Sequence, residues 1–157
     1  MAKLPRSCDR ASCVDPENLN KVTKHALREP DEHLDRLART VVDAAFEVHK
    51  VLGPGFAEAV YEEALAIELG RREVSFERQV PLTVSYKGFP VGDGRFDLLV
   101  GGALVVELKS VELLSPIHVS QVISYLRALR RPLGLLITFN VHRFRSGVRR
   151  VVVSRFQ

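Results

Sequence analysis

The chain has 157 residues, 46% hydrophobic and 27% charged, with a formal net charge of +4. That length and balance suit one soluble domain with a buried core, and they exclude a disordered chain, a collagen-like fibre and a disulfide-stapled mini-protein. The longest apolar stretch, Leu98 to Val106, is broken by two glycines and closed by Asp97 and Glu107, well short of the ~20 apolar residues of a membrane helix.

Residues 1–30 show no hydrophobic period and are rich in Asn, Asp, Pro and Ser, so they read as a flexible extension. No apolar run of the secretory type occurs there, and a cytoplasmic protein without a membrane partner is expected. Cys8 and Cys13 read as reduced thiols. Recruiting His25 and His33 for zinc yields no standard ligand spacing.

Residues 31–157 read as a single domain. Asp31 is placed to cap a helix in which Leu34, Leu37, Val41, Ala45, Val48 and Leu52 recur every three or four residues, closed by Gly53 and Pro54. Gly55 opens a second helix, from about Phe56 to Arg72. The period then becomes two: Phe76, Val80, Leu82, Val84 and Tyr86 predict a strand ended by Lys87-Gly88. Further strands are expected at about Arg95–Val100 and Ala103–Lys109. Ser115-Pro116 begins a helix reaching about Arg130. Leu133–Phe139 has the continuous apolar character of a strand buried on both faces, and Val148–Val153 reads as a last strand. The order α-α-β-β-β-α-β-β predicts an α/β class, with helices packed on one mixed sheet.

Glu107 and Lys109 are two apart and share a face of their strand, while Leu104, Val106 and Leu108 line the other. Whether Asp97 joins them depends on the turn at Gly101-Gly102. A two-residue turn pairs Asp97 with Val106 and separates the carboxylates; a three-residue turn with a glycine bulge pairs Asp97 with Glu107. The odd-length turn is the expectation, because the other buries a lone carboxylate among apolar residues. Two carboxylates beside an ammonium suit Mg²⁺ or Mn²⁺ and phosphodiester chemistry, although a Glu-x-Lys pair alone also suits an ion pair on a solvated sheet. Glu58, three residues before Tyr61 on the second helix, could extend the metal site or simply favour the helix N-terminus. His118, Gln121 and Tyr125 form a polar line that could orient water or phosphate, or be the exposed flank of an amphipathic helix.

After Glu112 no acidic residue occurs, whereas eight arginines follow. This one-sign stretch suits a polyanionic partner or a plain solvated basic face. Arg127, Arg130, Arg143 and Arg145 are candidate contacts to a nucleic-acid backbone.

These pieces in this order resemble the PD-(D/E)XK nuclease superfamily, and within it the GxxExxY family, over about residues 34–153. The resemblance implies a restriction-endonuclease-like α-β-β-β-α-β core preceded by an extra helix. It also implies a metal site from Glu58, Asp97 and Glu107, with Lys109 as the catalytic cation. The name pattern falls on Gly55, Glu58 and Tyr61, and Gln121 and Tyr125 are similar to the Gln-x-x-x-Tyr helix motif that assists such sites. Ile137 to Asn140 looks like the family's closing strand. Phe96 stands where the superfamily's name pattern has proline. The implied protein is a Mg²⁺-dependent nuclease acting on nucleic acid, DNA before RNA, with a homodimer or an accessory protein partner left open. An inactive module that keeps the fold and binds nucleic acid or protein is the alternative.

Overall fold

Helix α1 (Glu32–Leu52) begins where the Asp31 carboxylate accepts the Leu34 N–H at 2.8 Å, and it stops at Gly53, whose φ of 67° few other residues adopt. The computed structural model describes residues 30–154. The expected extension at 1–30, with Cys8, Cys13 and His25, thus lies outside the described residues apart from Pro30.

Helix α2 (Glu58–Arg71) follows, then strands β1 (Phe76–Tyr86), β2 (Phe89–Val100) and β3 (Leu104–Lys109), helix α3 (Pro116–Leu129), strand β4 (Leu133–Thr138), a 3₁₀ turn (Phe144–Gly147) and strand β5 (Val148–Val152). The sheet runs β1-β2-β3-β4-β5; β3 and β4 are parallel and the other neighbours antiparallel. The α/β class with a mixed sheet is therefore as expected. No described helix is long and apolar enough to cross a membrane.

Alternation sorts the core into two layers. Leu104, Val106 and Leu108 of β3 pack with Leu133, Leu135 and Ile137 of β4 against α1 and α2, through Val41, Ala45, Val48 and Leu65. Val105 and Leu136 face the other way, onto Val122 and Leu126 of α3. The α3 contact is close: a Cβ on Gly134 would lie 2.9 Å from Val122 Cγ1.

β2 begins six residues earlier than the Arg95 of the sequence expectation. Lys87 and Gly88 both take positive φ, 49° and 82°, the backbone of a two-residue primed turn that sends the chain straight back along β1. Pro90, Gly92 and Gly94 hide this half of the strand from propensity. The resulting arm exposes Val84, Tyr86, Phe89 and Val91.

Near its other end β2 is kinked. Phe96 packs into the α3 layer and Leu98 into the α1–α2 layer, although residues two apart on a regular strand share a face. Opposite this break Gln79 takes φ 50°. Asp97 lies at the kink.

Candidate active site

The β2–β3 hairpin carries the first relationship. Its register pairs Leu98 with Val106, Leu99 with Val105 and Val100 with Leu104, across a three-residue connection of Gly101, Gly102 and Ala103. Both glycines take positive φ. Continued one step outward, that register sets Asp97 against Glu107, as the odd-length turn predicts. Asp97 Oδ2 accepts the Leu108 N–H at 2.7 Å, and Oδ1 accepts Gln79 Nε2 at 3.3 Å.

Glu107 is 5% exposed and shares the α3 face with Val105. Its Oε1 accepts Lys109 Nζ at 2.9 Å, while its buried Oε2 has no hydrogen-bond partner. Burial, and then the charge of Asp97, push its pKa up from 4.5 to about 7, against the pull of Lys109. Asp97 is raised too, chiefly by burial and in part by Glu62, with the Leu108 N–H opposing. Burial disfavours the Lys109 ammonium, but its hydrogen bond to Glu107 and the charges of Glu107, Glu58 and Asp97 prevail, and its pKa rises.

Glu58 is the first residue of α2. Its pKa is raised by burial and by Asp97 and lowered by Lys109, so its carboxylate lies within electrostatic reach of both. From the other layer, Gln121 Nε2 donates to the Tyr125 hydroxyl at 2.8 Å. Burial, and then the charge of Glu107, push the pKa of that phenol up. With its oxygen accepting from Gln121, its proton remains free to donate. Tyr125 also rests against Phe96, ring centroids 6.1 Å apart. The structure thus gathers Asp97, Glu107, Lys109, Glu58 and Tyr125 into one electrostatic neighbourhood, with Gln121 bonded to Tyr125.

His118 leaves the polar line expected on α3. Its Nδ1 accepts the Ser115 N–H at 3.1 Å and closes a capping box. Arg127 and Arg130 stand at the C-terminal end of α3, before β4 begins, whereas Lys109 pairs with Thr138 at the other end of β4. Arg143 lies at the site's end of the sheet, in a cleft with Gly55 and Asn140, and Arg145 follows two residues on.

Three participants were not foreseen. Glu62, one turn after Glu58 and buried, accepts Arg78 Nε at 3.0 Å and Gln79 Nε2 at 2.6 Å. Gln79 thereby bridges Glu62 and Asp97. The i, i+4 spacing of Glu58 and Glu62 was a usable signal; nothing local marks Gln79 or Arg78.

Among the described residues no group of three or more His, Cys, Asp or Glu is arranged to hold a metal ion. The donor chemistry nevertheless fits a hard divalent cation: the carboxylates are partly dehydrated, and Glu107 Oε2 has an unused acceptor. Mg²⁺ keeps several waters and commonly uses only one or two carboxylates.

A family model described as the PD-(D/E)XK nuclease superfamily matches residues 35–151. No curated protein and no solved structure matches the chain.

Proposed function

The chain belongs to the PD-(D/E)XK nuclease superfamily, and on that premise we propose that it hydrolyses phosphodiester bonds of nucleic acid, DNA before RNA, with Mg²⁺ or Mn²⁺. Asp97 and Glu107 would hold the ion and Glu58 would adjust the site. When bound, the ion supplies Lewis acidity toward phosphate and water. Lys109 places an ammonium where negative charge develops, and the Tyr125 hydroxyl, held by Gln121, orients a phosphate oxygen or water. Arg143 and Arg145 meet backbone phosphates at this end of the sheet, and Arg127 and Arg130 meet them farther off. The Gly55, Glu58 and Tyr61 spacing supports placement in the GxxExxY family, and we treat residues 31–157 as one nuclease-like domain. A cytoplasmic setting fits this role.

The observation that carries the proposal is the buried Asp97–Glu107 pair with its partnerless Glu107 Oε2. Such an atom has a substantial desolvation cost unless a cation or proton meets it. The test is a panel of single- and double-stranded DNA and RNA with Mg²⁺, Mn²⁺ or EDTA. Cleavage in either metal, absent in EDTA and in Glu107→Gln, supports the reading; cleavage that survives Glu107→Gln or Lys109→Ala removes it.

One observation favours a second reading, a nuclease-fold module that binds nucleic acid or a protein partner without cleaving. Lys109 already engages Glu107 Oε1. This version predicts salt-sensitive nucleic-acid binding that is indifferent to metal and to Lys109→Ala.

A further inference from the structure

Two cavities meet beside the β4–β5 connection. The first, about 620 Å³, lies between the Pro54-Gly55 turn and the segment Asn140 to Arg143, with Glu112 on its wall. In the chain Gly55 precedes Glu58 by three residues and Glu112 follows Lys109 by three. The second, about 730 Å³, is a groove between α1 and the 3₁₀ turn that includes Phe46, His49, Phe144, Arg145 and Arg150. His142 and Arg143 line both cavities. The shared His142–Arg143 wall joins the cleft beside the Pro54-Gly55 turn to the groove along α1.

The groove combines an aromatic platform with cations. Phe46 is 52% exposed although its ring rests on Phe144, with centroids 5.8 Å apart. Phe144 packs in turn on His49, whose Nε2 donates to the Val141 carbonyl at 2.6 Å. The floor beneath Phe46 is thus pinned to the sheet connection. Arg143 and Arg145 are exposed, flank Phe144 and form no ion pair among the described residues, whereas Arg150 is held by Asp35. Among the described residues, Asp43 is the only acid lining the groove.

We propose that this surface binds an unpaired nucleic-acid strand, with a base stacked on Phe46 and phosphates held by Arg143 and Arg145. The inference rests on the nuclease reading and narrows its substrate to a strand that is single or frayed beside the bond to be cut. A duplex hides its base faces in its own stack, so an exposed ring between free guanidiniums serves an unpaired base. Backbone phosphates supply the complementary charge.

The test is fluorescence anisotropy on the full chain in EDTA, with labelled oligo(dT), oligo(U) and a blunt DNA duplex of equal length. At least one single strand should bind more tightly than the duplex. Phe46→Ala should weaken that binding about tenfold and Phe46→Trp should restore it. Arg145→Ala should reduce the salt slope by about one. The dT and U arms separate DNA from RNA as the source of the strand. Arg145→Glu serves as a second, surface variant if Phe46→Ala fails to fold. Preference for the duplex, or single-strand affinity unchanged in the Phe46→Ala and arginine variants, overturns the inference. Phe46-dependent binding without cleavage in any metal defeats the nuclease reading alone; metal-dependent cleavage with Phe46-independent binding defeats the groove alone.

Discussion

The hydroxyl of Tyr61 donates to the Gly53 carbonyl at 2.6 Å. It also accepts the Phe56 N–H at 3.1 Å, and its ring stacks on Phe139 with centroids 4.5 Å apart. One buried side chain thus ties the Gly53–Phe56 turn to the core and fixes the start of α2, where Glu58 stands. This gives the Gly-x-x-Glu-x-x-Tyr spacing a physical reason: the glycine bends the chain, the glutamate opens the helix, and the tyrosine anchors both.

Tyr61→Phe should therefore lower stability by about 1–2 kcal/mol, because the Phe56 N–H and Gly53 carbonyl each lose a partly buried partner. Urea denaturation of the two proteins checks this. A midpoint equal to wild type would show that the turn holds without the hydroxyl.

The raised pKa of Glu107 sets a sign for apo-protein stability. Its folded value of about 7 exceeds the unfolded 4.5, so its contribution is fully present below pH 4.5 and is lost as pH rises through 7. Glu107→Gln should remove that dependence and stabilise the protein at pH 8, by up to about 3 kcal/mol from the linkage relation. Denaturation in EDTA at pH 5 and pH 8 measures it; a variant less stable than wild type at pH 8 would contradict the assignment.

Gly134 tests the close contact of β4 with α3. Gly134→Val places a Cβ 2.9 Å from Val122 Cγ1 and should cost about 1–3 kcal/mol through overpacking. A thermal midpoint unchanged in Gly134→Val would show that α3 can shift without penalty.

Much of this was legible in the sequence because burial dictates pattern. The three-and-four spacing from Leu34 to Val48 marks α1, and the apolar run from Leu133 marks β4 as central. The cost of burying Asp97 alone selected the three-residue turn, and β2 and β3 adopt it. What escaped depends on backbone geometry or partners distant in the chain. The first half of β2 is built on Pro90, Gly92 and Gly94, poor strand formers carried there by the Lys87-Gly88 turn. Gln79 joins the site from β1, where it takes φ 50° opposite the β2 kink at Asp97. His118 satisfies a helix cap, a local hydrogen bond that competes with any role on the polar stripe. The arginine-rich end of the chain is divided between both ends of the sheet, which composition alone does not disclose.

Catalysis by this chain depends on the pair at Asp97 and Glu107, and single-turnover cleavage of a labelled oligonucleotide in Mn²⁺ probes that dependence most directly. Wild-type protein should cut, and folded Glu107→Gln should cut at least about a hundredfold more slowly, the scale expected when a group that positions or stabilises the reacting phosphate is lost. Equal rates for the two proteins, or no cleavage by wild type on any substrate, would contradict it.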